Sequence, residues 1–295
     1  MRNPDFLVIG AAKAATTTLA DRLRRHPDVH IPEVKELNHF SHVADPHGEL
    51  AEYHRRLGDP GGRRLVGEAS PAYAMRHAYP NCAARIARSL GAPKLIFIAR
   101  EPLRRIQSQW LYDVHVKRRP ETPRCFEQAV LEDPALVQPT RYMWVLEPYL
   151  ERFDRERLLL LTFEEFMRDQ AGTLDRVCEF LDVPVRRLQG GSVRNPTGRT
   201  PRWFETLVRS PAVRPLAACV SPELRRRVRY ALRRPVPLPT WPHELRRRVE
   251  DQLRQESIAY LRLAGLDLDH WEISRSPSTG TPSIDDSGNS SRRAA

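Results

Sequence analysis

Residues 5–23 read DFLVIGAAKAATTTLADRL. The first six, DFLVIG, are a short apolar run that stops at Gly10, the pattern of a buried strand. TTTLADRLRRH (16–26) carries Leu19 and Leu23 one turn apart, so a helix follows. Between the two lies a tight loop of small residues around Lys13. In such a loop the backbone amides and the positive end of the following helix form a site for a phosphate group. Lys13 and the hydroxyls of Thr16, Thr17 and Thr18 add donors. Taken alone, the segment also reads as a small-residue turn with a capping Thr. An ATP or GTP loop needs Gly-Lys-Ser/Thr at its end. Here the Lys comes three residues after Gly10 and Ala15 precedes Thr16, so it is not one.

The same alternation continues along the chain. RLVGEA (64–69), KLIFIA (94–99) and RLLLLTF (157–163) read as further strands, and CAARIARSLG (82–91) as an amphipathic helix stopped by Gly91. Helical segments are expected around 102–117, 124–132 and 141–153. EEFMRDQAGTLDRVCEFLDV (164–183) follows, with apolar Phe166, Leu174, Val177, Phe180 and Leu181. This predicts an α/β, P-loop-like three-layer fold with a central, mainly parallel sheet flanked by helices.

A second chemical segment is KLIFIAREPLRRIQSQW (94–110). Arg100 lies at the carboxyl end of the clearest strand, and Ser108 lies eight residues on, in the next helix. Nucleotides bind outside the carboxyl ends of parallel strands. A triphosphate hydrolase usually places a magnesium-holding Asp there. A guanidinium cannot hold a cation, but it grips phosphate, so the implied ligand is a nucleotide with two separate anionic groups. Without the first segment, Arg100 reads as a surface residue opening a solvated helix.

The chain has 295 residues, 40% of them hydrophobic, and a formal net charge of +11. A sizeable core is available. One domain over 1–273 is expected, with a Ser-, Pro- and Gly-rich tail over 274–295 that has almost nothing to bury and is expected to be disordered. No run approaches the roughly 20 apolar residues needed to cross a bilayer. The start shows no secretory cleavage pattern, so a cytoplasmic location is expected. Cys82, Cys125, Cys178 and Cys219 have neither metal-ligand nor disulfide-framework spacing and are expected as reduced core residues. No metal is expected. There are four lysines (13, 35, 94 and 117) against 44 arginines. A GC-rich coding bias converts Lys wherever Arg serves, which draws attention to the surviving lysines, two of which fall in the motifs. From about 186 the composition turns to Arg, Pro and Gly, with helices expected near 222–233 and 243–264. Residues 214–250 carry ten Arg against three Glu. That stretch is either a solvated helical face or a contact for an anionic acceptor or membrane surface. A polyanion or nucleic-acid binder would use it too, but would leave the loop motifs unexplained.

Read together, GAAKAATT (10–17) and the pair Arg100 and Ser108 resemble the sulfotransferases that use 3′-phosphoadenosine-5′-phosphosulfate (PAPS). Their 5′-phosphosulfate loop has the form GxxKxGTT, and their 3′-phosphate site has an Arg at a strand end with a Ser eight residues on. PEVKELNHFS (32–41) is similar to the family's KE-x-x-x-F segment and LVGEASPAY (65–73) to its E-x-[ST]-P-x-Y. RYMWVLEPYLERFDRERLLLLTFEEF (141–166) is similar to its late helix and strand. GRTPR (198–202) resembles the closing loop of the heparan sulfate branch and its bacterial relatives. The resemblance runs from about residue 5 to 271.

It implies in-line transfer of a sulfuryl group from PAPS to a hydroxyl, or less readily an amine, of a small-molecule or saccharide acceptor. Lys13 would neutralise charge on the leaving oxygen, helped by the amides of Ala14, Ala15, Thr16, Thr17 and Thr18. Glu36 would be the general base; it also reads as a surface carboxylate paired with Lys35. Gly10 belongs to the loop, Arg100, Ser108 and Arg199 would clamp the 3′-phosphate, and Gly198 would be a further cofactor-binding residue. Lys35, His39, Glu68 and Tyr73 are the candidate acceptor-side residues: His39 as a second base, Glu68 to orient the acceptor or Lys13, and Tyr73 to line the acceptor cleft, with packing an equal alternative for Glu68 and Tyr73. No nucleic-acid partner is expected. Ala15 replaces the usual Gly, at a cost of about 1 kcal/mol if that position needs a positive φ. Ala69 and Thr197 stand where the heparan sulfate enzymes carry Lys, which argues against an extended polyanionic acceptor. The remaining alternatives are a P-loop-type kinase or triphosphatase and a non-enzymatic basic polyanion binder.

Overall fold

The computed structural model describes residues 2–34, 36–186, 198–199, 210, 213, 228 and 234–275, with backbone alone at 198–199 and 234–235. Five strands form one parallel sheet: β1 (Phe6–Gly10), β2 (Val29–His30), β3 (Leu65–Ala69), β4 (Lys94–Ala99) and β5 (Leu158–Thr162). Their spatial order is β2-β3-β1-β4-β5. The central strand β1 pairs with β3 and β4 on either side, Phe6 facing Gly67 on one and Lys94 on the other. All five β1 residues are buried. Covering a strand on both faces is what a continuous apolar run reports, and each buried Leu, Val or Ile contributes about 1.5–3 kcal/mol relative to exposure.

The connections are helical: α1 (Thr16–Leu23), the short α2 (His39–His42), α3 (Leu50–Leu57), α4 (Cys82–Leu90), α5 (Pro102–Leu111), α6 (Phe126–Glu132), α7 (Pro134–Val137), α8 (Tyr142–Leu150), α9 (Phe163–Arg168) and α10 (Gln170–Leu181). The chain continues α5 as a π-helical segment, Tyr112–Lys117, so the expected single helix over 102–117 changes pitch at Tyr112. The expected helix over 141–153 ends at Leu150. Two-residue strands β6 (Gly198–Arg199) and β7 (Arg234–Pro235) pair antiparallel. α11 (His243–Leu263) carries a buried stripe of Leu245, Val249, Leu253, Tyr260 and Leu261.

On one face of the sheet, Phe97 meets Tyr142 of α8 at 5.8 Å and Tyr260 of α11 at 6.0 Å. Trp271 stacks on Tyr260 at 5.5 Å, and the Tyr260 hydroxyl donates to the Leu161 carbonyl of β5 at 2.7 Å. Tyr260 and, through it, Trp271 thus fasten the chain after α11 to the sheet. Among the described residues no helix is long and apolar enough to cross a membrane. Cys82 and Cys178 are buried, whereas Cys125 is exposed, contrary to the expected core placement. Cys219, the helix expected near 222–233 except for Val228, and residues 276–295 lie outside the described residues.

Candidate active site

Because the strands are parallel, the segments that leave them emerge on one edge of the sheet. Residues 11–15 follow β1, 31–38 follow β2, 70–74 follow β3, and Arg100 follows β4. Lys13, Glu36, Ser70 and Arg100 therefore share the edge at which open α/β sheets bind ligands.

The loop after β1 is held in an uncommon backbone form. Lys13 has φ 71° and Ala15 φ 66°, both left-handed. Ala14 between them is fully buried. Such alternation makes a concave nest of amides suited to an anion. Ala15 takes the conformation in which Gly is favoured, so the substitution carries strain of about 1–2 kcal/mol. It stands at the N-cap of α1 without a side-chain cap. Gly10 has a packing reason as well: a Cβ there would lie 2.5 Å from Ala74 Cβ and 2.8 Å from the Phe97 ring.

Lys13 is gripped at two points. Its ammonium sits 3.9 Å from the centre of the Tyr112 ring, and its carbonyl accepts from Arg100 Nη1 at 3.2 Å. Arg100 in turn lies over the Phe163 ring at 4.3 Å. Its Nε is buried with no hydrogen-bond acceptor, so the guanidinium retains a donor for a further oxyanion. Burial pulls the Arg100 pKa down, but a guanidinium stays charged. The Tyr142 hydroxyl donates to the Arg100 carbonyl at 2.5 Å and fixes the strand end. The neighbouring carboxylate, Glu101, caps α5 by accepting from the amides of Leu103 at 3.3 Å and Arg104 at 2.8 Å. Burial pushes its pKa up to about 7.

Ser108 is buried on α5, and Tyr112 follows it by one helical turn. β6, which holds Gly198 and Arg199, lies against the π-helical segment that begins at Tyr112. Arg100 and Tyr112 thus meet at Lys13, and Gly198–Arg199 reach the element carrying Tyr112. The sequence pattern does not single out Tyr112, although its spacing from Ser108 places both on one helix face.

On the β2 and β3 side, Glu36 is exposed with φ 65°, and Asn38 has φ 54°. Lys35 lies outside the described residues. Glu68, at 1% exposure, is an internal carboxylate. It accepts from the Tyr53 hydroxyl at 2.7 Å, from the Tyr73 hydroxyl at 2.9 Å and from Ser70. Burial raises its pKa, while these three donors pull the other way. Tyr73 is 1% exposed. His39 is fully buried, stacked on Tyr53 at 4.8 Å, with Nε2 donating to the Pro46 carbonyl at 2.8 Å. Burial lowers its pKa. Aromatic packing and hydroxyl donors thus hold His39, Glu68 and Tyr73, the residues expected on the acceptor side, inside the protein. Tyr53 and Ser70 complete the cluster and carry no sequence signal as a pair. A cavity of about 660 Å³ lined by Arg2, His54, Gly58 and Pro60 lies toward the amino end of β3, away from this edge.

The family profile described as "Sulfotransferase domain" matches residues 3–196, a span that takes in the loop, the strand-end arginine and the Glu68 cluster. The chain belongs to the sulfotransferase family. This sulfotransferase is 30% identical over 139 residues to the membrane-associated sulfotransferase kil1 of Dictyostelium discoideum, covering 46% of this chain and 29% of that protein. It is 30% identical over 196 residues to the heparan sulfate glucosamine 3-O-sulfotransferase 3B1 of Mus musculus, covering 61% of this chain and 46% of that one. The chain spans less than half the length of these curated relatives. Its fold matches the crystal structure of a sulfotransferase from Alicyclobacillus acidocaldarius with a TM-score of 0.64 and 22% identity, over 92% of this chain and 99% of that one.

Proposed function

We propose that the chain transfers a sulfuryl group from PAPS to a hydroxyl of a saccharide or small-molecule acceptor, releasing adenosine 3′,5′-bisphosphate. The observation that carries this reading is the bond from Arg100 to the Lys13 carbonyl: it joins two cations just past the ends of adjacent parallel strands, one in an amide nest and one with a buried, unused Nε. That donor set suits a nucleotide with separated anionic groups. PAPS, when bound, supplies a sulfuryl group on a phosphate leaving group.

The chain's residues do the rest. The ammonium of Lys13 neutralises the charge that gathers on the leaving oxygen, a role often worth several kcal/mol. Loop amides from Ala14 to Thr18 hold the 5′ end. Arg100, Ser108 and Arg199 hold the 3′-phosphate, with Gly198 beside them in the cofactor site. Glu36 takes the proton of the acceptor hydroxyl as the new bond to sulfur forms. The saccharide class draws support from the names of the relatives. Ala69, 2% exposed at the end of β3, brings no cation where heparan sulfate enzymes carry Lys, which favours an acceptor with few anionic groups. In the described part of the basic stretch, Arg246 is paired with Glu250 at 2.6 Å and with Glu272 at 2.5 Å, whereas Arg247 and Arg248 are exposed. The kinase alternative lacks an open strand-end carboxylate for magnesium: β4 is followed by Arg100, Glu101 is spent as a helix cap, and Glu68 of β3 is buried under Tyr53, Ser70 and Tyr73.

The test is incubation with sulfur-labelled PAPS and a panel of glucosamine saccharides and small alcohols, with a chelator present. Label on an acceptor with matching release of adenosine 3′,5′-bisphosphate is expected. Magnesium-dependent ATP turnover without label transfer would overturn the reading.

A further inference from the structure

The segment carrying Glu36 is short and strained. Glu36 and Asn38 are both left-handed, a conformation that residues other than Gly hold only where their surroundings impose it. Between them Leu37 is buried at 3% exposure and acts as an anchor. Asn38 is fixed from both sides. Its carbonyl accepts from the amide of His42 at 2.9 Å and the Ser41 hydroxyl at 3.0 Å, which ties it into α2. Its amide donates to Ser70 Oγ at 3.0 Å, which ties it to the end of β3.

The direction of that last bond is set by the Asn38 amide, which can only donate. Ser70 Oγ accepts there through a lone pair, and its single proton goes to Glu68, which orients the hydroxyl. Tyr53 and Tyr73 hold Glu68 in place from the other side. The chain of contacts thus runs from two core tyrosines through Glu68 and Ser70 to the backbone two residues after Glu36.

We propose that Ser70, oriented by Glu68, is the positioning residue for Glu36: it holds the 36–38 backbone in the form that aims the Glu36 carboxylate at the acceptor. Ser70 touches neither donor nor acceptor. The inference rests on Glu36 as the general base, and the experiment separates the two.

The experiment is a double-mutant cycle on the full chain, following release of adenosine 3′,5′-bisphosphate from PAPS with a glucosamine disaccharide present. Ser70→Ala should lower kcat about five- to tenfold, the weight of one lost hydrogen bond, with KM for PAPS unchanged. Ser70→Thr, which keeps the hydroxyl, should restore it. In a Glu36→Gln background the Ser70→Ala change should cost at most about twofold, because the residue it aims is already disabled. Amide exchange at Asn38 should quicken in Ser70→Ala while the β1 amides keep their protection, showing that the fold is intact. Equal losses in both backgrounds would mean a merely structural Ser70 and overturn the inference. So would an unchanged kcat in Ser70→Ala when Glu36→Gln is impaired. Full activity of Glu36→Gln would remove the base assignment itself, and this inference with it.

Discussion

Arg100 Nη1 donates to the main-chain carbonyl of Lys13 at 3.2 Å, so the end of β4 braces the loop that follows β1. One side chain thereby shapes that loop and keeps an unused Nε donor, which under the proposed function serves the 3′-phosphate. Arg100→Met, which retains bulk but no donors, should weaken adenosine 3′,5′-bisphosphate roughly ten- to a hundredfold, as charged hydrogen bonds are worth about 1.5–3 kcal/mol. Arg100→Lys should rescue little, because a point charge does not reproduce the fork. Calorimetric titration measures this, and wild-type affinity in Arg100→Met would contradict the assignment.

Tyr112 supports the Lys13 ammonium from 3.9 Å. A cation over an aromatic face gains about 0.5–2 kcal/mol, so Tyr112→Leu should lower kcat by roughly three- to thirtyfold. Tyr112→Phe keeps the ring and should stay near wild type. If Phe and Leu are equally impaired, the hydroxyl matters and the ring does not.

Ala15 holds φ 66° at the start of α1. Ala15→Gly relieves the left-handed strain of about 1–2 kcal/mol and gives back part of it through the freer unfolded chain. The net effect should be a small rise in melting temperature, up to about 1 kcal/mol of added stability. A clear fall in melting temperature would show that the loop is not strained at this position.

Much of this was legible in the sequence, for a definite reason. β1, β3, β4 and β5 are continuous apolar runs punctuated by Gly, Arg or Thr, and their observed bounds fall within a residue or two of the expected ones. β2, only Val29–His30, is too short to leave a pattern. α3 buries just Tyr53 and Leu57 and passes for a charged loop. Lys13, Arg100 and Ser108 stand at fixed offsets from strand ends, so their places at the sheet edge and on α5 were legible. Tyr53, Ser70 and Tyr112 act through tertiary approach, which spacing along the chain does not encode. His39 carries reactive chemistry in its side chain, yet Phe40 and Tyr53 enclose it, and packing decides its role.

Glu101 should give stability a distinctive pH dependence. Its folded pKa is about 7 against a reference of 4.5, so between these values the folded state holds more of its proton than the unfolded state does. Stability from this group is therefore greatest below the reference value and falls as pH rises toward 7, by about 3 kcal/mol at most. Glu101→Gln keeps a capping oxygen and loses the titration. Denaturant unfolding at about pH 4 and about pH 8 should show a larger fall for wild type than for Glu101→Gln; parallel falls would place the titration elsewhere.

The most direct measurement is the melting temperature with and without adenosine 3′,5′-bisphosphate for wild type, Lys13→Ala and Arg100→Met, beside magnesium-ATP as the competing ligand. A ligand that binds only the folded state adds about 2.7 kcal/mol at a hundredfold excess over its dissociation constant. The account predicts a clear rise with the bisphosphate in wild type, a much smaller one in both variants, and none with magnesium-ATP. Protection by magnesium-ATP alone, or equal protection of all three proteins by the bisphosphate, would contradict it.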